Sequence, residues 1–179
     1  MLLRWLLPVA FLFSLLAPMA SAQGVPSDLG SVLRDATAVG SGSFRWFGLK
    51  IYDATLWAER GAAIGEDWRR TPLVLELNYA RSLVGSKIAD ASVDEMKKLG
   101  IGSPARLEAW RTAMRDVFPD VEDGTRLSGA YRPGQAMQFY RDGQPIGEIA
   151  DPEFGAAFFA IWLHPKTSAP KLRAALLGQ

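Results

Sequence analysis

Residues 125–149 read TRLSGAYRPGQAMQFYRDGQPIGEI, and this run decides the fold. Three short segments, Thr125 to Tyr131, Ala136 to Tyr140 and Pro145 to Ile149, are separated by Pro133-Gly134 and Asp142-Gly143. Both dipeptides supply turn chemistry: Pro presets φ, and Gly takes a positive φ at no steric cost. Asp-Gly between apolar runs is among the stronger short hairpin signals. The spacing predicts a three-stranded antiparallel meander.

Upstream of it lie two helical patterns. The first falls within Ser82 to Leu99, with Val84, Ile88 and Met96 on its apolar side, a possible restart at Ser92-Val-Asp-Glu95 and a stop at Gly100. The second takes Ser103 as cap and Pro104 as its first residue, sets Leu107, Trp110, Met114 and Val117 at helical spacing, and ends at Pro119. Downstream, Asp151-Pro152-Glu153 opens a helix through Leu163 that is apolar nearly all round and should therefore be buried. A last helix, Ala169 to Leu177, is expected to be capped by Ser168.

Before the helices stand the strand-like segments. Leu73, Leu75, Leu77 and Tyr79 alternate after Pro72, which predicts a strand. Ser43 to Trp57 is rich in aromatic and β-branched residues and reads as one long strand or a tight strand pair. Asp28 to Ala38 reads equally as a short helix or an irregular lead-in. Strands, two helices, a meander and two further helices make an α+β order, with a mostly antiparallel sheet and helices on one face.

The first 22 residues are set apart. Arg4 precedes an apolar stretch from Trp5 to Ala17, and Ala20-Ser21-Ala22 offers a small-residue cleavage site. This is the pattern of a secretory signal peptide, and Pro8, Ser14 and Pro18 interrupt it too often for a spanning helix. The expectation is an exported protein, periplasmic if the source is a Gram-negative bacterium and secreted otherwise, made of one domain from Gln23 to Gln179. Loss of Arg4 with the leader leaves 19 basic residues against 19 acidic ones, so nothing in the charge argues for nucleic acid or an anionic membrane surface as partner, and no stable membrane insertion is expected once the leader is removed. The chain has no cysteine, so no disulfide replaces a core. Five tryptophans past the leader, Trp46, Trp57, Trp68, Trp110 and Trp162, supply large apolar surfaces for one.

Catalytic sets are scarce. One histidine and no cysteine exclude the usual zinc ligand patterns, so no metal and no cofactor is expected. His164 lies at a helix end where binding terminal carbonyls explains it, and no G-x-S-x-G elbow accompanies it. Gly40-Ser41-Gly42-Ser43 lacks the third glycine, the preceding strand and the following helix of a dinucleotide site. Its glycines are expected instead to turn the chain into the strand at Phe44. Asp94 and Glu95 read as completing a helix-start box with Ser92.

Arg45 is the residue that physics singles out. Unbroken alternation through Ser43 to Trp57 puts Phe47, Leu49 and Ile51 on one face and Phe44, Trp46 and Tyr52 on the other. On that count Arg45 shares the Phe47 face, where a permanent charge among apolar neighbours demands an anion, either an acidic side chain or a ligand carboxylate. A snorkelling arginine at the sheet edge is the rival reading, and a bulge at Gly48 would reverse the face. Tyr52 and Tyr79 are further candidates for polar contacts, although a strand tyrosine is commonly a core residue with its hydroxyl at the rim.

The ordered runs Gly40-Ser-Gly-Ser-Phe-Arg45, Leu49-Lys-Ile-Tyr52-Asp-Ala-Thr-Leu-Trp57, Leu77-Asn-Tyr79-Ala-Arg81, Asp151-Pro-Glu-Phe154 and Phe158-Phe-Ala-Ile-Trp162-Leu163 span most of the chain. Together with Ser168-Ala-Pro170 and Leu176-Leu-Gly178 they resemble the bacterial chalcone-isomerase-like family. The resemblance implies an open-faced antiparallel sheet with helices packed on it and a cleft between. Plant members of the wider group cyclise chalcones, plastid members bind fatty acids without catalysis, and in both an arginine from an early strand meets the ligand's oxygen. Arg45 falls at the matching place. Aligning Leu83-Val-Gly85 with the plant enzymes, however, puts Ile88 where they carry a tyrosine and Glu95 where they carry an asparagine, and a carboxylate there opposes oxyanion stabilisation. The leading expectation is therefore non-catalytic binding of a lipophilic acidic or phenolic molecule such as a fatty acid, with Arg45, Tyr52 and Tyr79 as ligand-binding residues. An isomerase acting on chalcone-like substrates and a structural or partner-binding envelope protein are the alternatives.

Overall fold

The computed structural model describes residues 30, 32–65 and 67–179. The expected leader lies outside the described residues, as do positions 28, 29 and 31 of the uncertain lead-in, whose last three residues, Ala36 to Ala38, already belong to a strand. Six strands form one antiparallel sheet in chain order: β1 (Ala36–Trp46), β2 (Leu49–Glu59), β3 (Leu73–Tyr79), β4 (Arg126–Tyr131), β5 (Met137–Arg141) and β6 (Gln144–Ile149). Between β3 and β4 the chain makes α1 (Gly85–Lys98) and α2 (Pro104–Val117), and after β6 come α3 (Phe154–Leu163) and α4 (Pro170–Leu176). The expected α+β architecture is the observed one.

The alternation that the sequence shows in β3 builds the core. Leu73, Leu75, Leu77 and Tyr79 face the helices and join Trp110, Met114, Phe154, Phe158 and Phe159 in the main apolar cluster. The helix α3 is as buried as its composition requires. A smaller cluster on the reverse face joins Val32, Leu33 and Ala36 to Trp57, Val74 and Ala130.

One open local reading is resolved and two others are corrected. Ser43 to Trp57 is a strand pair, with Phe47-Gly48 as a two-residue turn in which both residues have positive φ. The helix α1 runs unbroken through the proposed restart, because the Ser92 hydroxyl bonds back to the Ile88 carbonyl (2.8 Å) instead of capping. Ser168 does not cap α4 either; its hydroxyl donates to Glu95 on α1. Ser103, by contrast, caps α2 as expected by accepting the Arg106 N–H, with Pro104 first in the helix.

The glycines of the 40–43 run act differently from the expectation. They lie inside extended β1, where α4 crosses: a Cβ on Gly40 would stand 2.1 Å from the Ala175 carbonyl oxygen. Their role is close approach of a helix to a strand, not a turn.

Candidate ligand-binding site

The helix α1 packs chiefly against α2 and α3, more than on the strands below it. This leaves a cleft of about 440 Å³ between α1, α3 and the helix-facing side of the sheet. The volume lies within the range of about 300–1,000 Å³ usual for small-molecule sites. Leu75, Leu77 and Leu127 form part of its floor, Phe44 and Trp46 close the β1 side, and Ile88 with Ile161 contributes to the helical wall. Phe139, Phe118 and Phe158 make a contiguous aromatic end, with ring centroids 5.1 to 6.0 Å apart.

Two of the three residues singled out from the sequence meet here. Tyr52 and Tyr79 stand opposite each other on β2 and β3, their rings edge to face at 5.7 Å, and both line the cleft. The Tyr52 hydroxyl accepts a hydrogen bond from Trp162 Nε1 at 3.0 Å. Tyr79 is 3% exposed, and its hydroxyl makes no hydrogen bond to the described residues. Burial pushes the Tyr52 phenol well above the usual tyrosine range; the Trp162 bond acts against that shift and the charge of Glu95 adds to it. Burial likewise raises Tyr79, with Tyr52 adding to the effect. Both are neutral hydroxyls at physiological pH.

Arg45 is not in the cleft. It is exposed, and its guanidinium donates to the Gly48 carbonyl at 3.3 Å. The expected apolar surroundings rested on alternation counted straight through position 47, and two features break that count. The chain reverses at Phe47-Gly48, and Ile51 is a bulge, since Phe44 pairs with Tyr52 while Arg45 pairs with Lys50. The cleft face is thus the one that carries Phe44, Trp46 and Tyr52, and Ile51 joins it. Arg45, between Phe44 and Trp46, points to the reverse face, near the paired Lys50 and Asp53.

The charged groups at the cleft belong to α1. Glu95 accepts the Ser168 hydroxyl at 2.5 Å and the Lys98 ammonium at 2.6 Å, and this bond holds Lys98 above its ordinary pKa. Lys87 and Asp94 complete the polar edge. Of these only Glu95 could be placed from the sequence, by alignment. Nothing in the sequence marked Lys87, Lys98, Ser168 and Trp162 as cleft residues, because their meeting depends on how α1, α3 and the loop before α4 close over the sheet. Among the described residues there is no group of acidic or histidine side chains able to hold a metal ion. No helix there is long and apolar enough to cross a membrane.

A meandering antiparallel sheet with helices on one side and an apolar cleft between the layers defines a class of α+β folds. Within it, this chain belongs to the chalcone isomerase-like family, whose model matches residues 38–178. An uncharacterized protein of Haemophilus influenzae is 26% identical over 141 residues, covering 79% of this chain and 67% of that one. The crystal structure of a fatty-acid binding protein of Arabidopsis thaliana superposes with a TM-score of 0.60 at 10% identity, covering 80% of this chain and 87% of the other. At that identity the likeness is one of fold.

Proposed function

We propose that the cleft is a non-catalytic binding site for a lipophilic small molecule that has an acyl or aromatic body and an oxygen-bearing polar end. The observation that carries this reading is an unpartnered Tyr79 hydroxyl inside an apolar cavity. A hydroxyl that lines an apolar cleft and has no protein partner is free to hydrogen-bond a ligand oxygen. The Arabidopsis protein of the same fold, described as binding fatty acids, supports the class of ligand.

Electrostatics orients the ligand. An ionised carboxylate beside the two tyrosines would meet both desolvation and the nearby charge of Glu95, so the interior hydroxyls suit a phenol, ester or protonated acid. Arg45 then serves no direct part in the cleft.

The leader pattern supports export. Protein recovered from the exported fraction is therefore the sample to analyse by native mass spectrometry, where its intact mass also reads whether the chain begins at Gln23. A lipophilic molecule should travel with it and be extractable into organic solvent, and Ile88→Trp, which fills the cleft from α1, should remove that molecule while leaving the fold intact. An empty wild-type protein that also fails to take up added fatty acid, or retention of the molecule by Ile88→Trp, would sink the reading. Turnover of a chalcone above background would favour the isomerase alternative instead.

A further inference from the structure

We propose that the β1–β2 hairpin tip docks this protein on a lipid surface that contains anionic lipid, with Trp46, Phe47 and Leu49 entering the headgroup region. This goes beyond the ligand proposed for the cleft and is measured without it.

The tip is the largest concentration of exposed apolar side chains among the described residues: Trp46 is 63% exposed, Phe47 86% and Leu49 53%. The Trp46 and Phe47 rings meet edge on at 5.0 Å, so the patch is continuous. An apolar group of this kind on a protruding two-residue turn has the composition found at membrane interfaces, where aromatic rings sit at headgroup level.

The backbone adds an independent sign. Phe47 has φ of 45°, and the described non-glycine residues that share a positive φ with it are both aspartates, Asp35 and Asp142. Aspartate tolerates that region, whereas a bulky side chain there is strained. The first position of such a turn favours Asn, Asp or Gly. Neither turn chemistry nor core packing accounts for a phenylalanine at this place, and strain that nothing in the fold repays points to function. Transfer of the ring into an apolar medium does account for it.

Charge selects the partner. Pairing of Arg45 with Lys50, and of the Ile51 carbonyl with the Ala80 N–H, sets Arg45, Lys50 and Arg81 in one row across the sheet end behind the tip. Lys50 pairs with Asp53, neither arginine makes a salt bridge to a carboxylate among the described residues, and Arg81 Nε is buried without a hydrogen-bond partner. Three cations in this row against the single carboxylate of Asp53, which feels the charge of both Lys50 and Arg45, leave an excess of positive charge behind an aromatic tip that complements anionic headgroups. The near-zero net charge of the chain does not oppose this, because the attraction is local and decays over about 8–10 Å in physiological salt. Trp46 also lines the cleft, so docking brings the cleft to the bilayer surface.

Flotation of the purified protein with vesicles of phosphatidylcholine alone, and of phosphatidylcholine with phosphatidylglycerol, tests the proposal. Wild type should float with the anionic vesicles, less so as salt rises, and Arg45→Gln should blunt that salt dependence. Phe47→Asn places a preferred residue in the turn, so its melting temperature should equal or exceed that of wild type. Its partitioning should nonetheless fall about tenfold to a hundredfold, the loss expected for one buried phenylalanine. Wild type that stays unbound with both vesicle types, or Phe47→Asn that floats equally well, would overturn the proposal. So would a wild-type dimer that Phe47→Asn converts to monomer, since the tip would then belong to a second copy of the chain.

Discussion

Tyr52 and Tyr79 are neighbours with the same side chain and nearly the same burial, yet their hydroxyls are in different positions. The Tyr52 oxygen is the acceptor for Trp162 Nε1, and it joins β2 to α3 across the cleft. The Tyr79 oxygen joins nothing among the described residues. Removing Tyr52's hydroxyl strands a buried indole N–H, so Tyr52→Phe should lower unfolding free energy by about 1–3 kcal/mol. Tyr79→Phe removes a group that has no partner and should be neutral or slightly stabilising, while weakening retention of the cleft's occupant. Urea denaturation of the two ligand-free variants against wild type separates these outcomes; equal losses would contradict the assignment of the bonds. Tyr52 and Tyr79 were visible in the sequence as strand aromatics, but which of them is satisfied was not. That depends on a tryptophan 110 residues away.

At the scale of elements, the junction of β1 with α4 shows most directly how local composition becomes packing. Gly40 and Gly42 face α4, and a methyl group on Gly40 would overlap the Ala175 carbonyl. A backbone oxygen cannot swing aside as a side chain can, so α4 must shift away from the strand. Overpacking of this sort costs about 1–3 kcal/mol, and Gly40→Ala should lower the melting temperature accordingly. Thermal unfolding followed by circular dichroism measures it; an unchanged midpoint would show that α4 is free to move. The other end of the helical layer is tied by polar contacts: Trp110 Nε1 on α2 donates to Asp151 at 2.9 Å, and Arg106 pairs with Glu153. The meander, the caps of α2 and the buried character of α3 could be read locally, because turn dipeptides, Ser-Pro and all-round apolarity act over a few residues. The face of Arg45 could not, because one bulge at Ile51 and one turn at Phe47 reverse a parity that has no other record in the chain.

For the molecule as a whole, the two cleft tyrosines lie between the sheet and the helices, so ionising them places charge in an apolar environment. Each has a folded-state pKa raised by burial. In the unfolded chain they lose protons near the ordinary value of about 10, whereas the folded state keeps them, so the unfolded state binds fewer protons above that pH. The stability they contribute is present below about pH 10 and is lost as pH rises beyond it. Alkaline titration should therefore show part of the tyrosinate absorbance appearing together with loss of near-ultraviolet circular dichroism. Full ionisation of all four tyrosines before any loss of tertiary structure would contradict the burial of this pair. The order of elements, the antiparallel sheet and the family were determined by the sequence alone, because periodicity, turn residues and motif order are properties of adjacent positions. Which side chains look into the cleft, which hydroxyl lacks a partner and which aromatic residues stand in solvent were decided only in three dimensions. A bulge and a reversal of the chain within the β1–β2 hairpin, and the packing of α1 on α2 and α3, set those directions, and none of them is a property of the residue pattern alone.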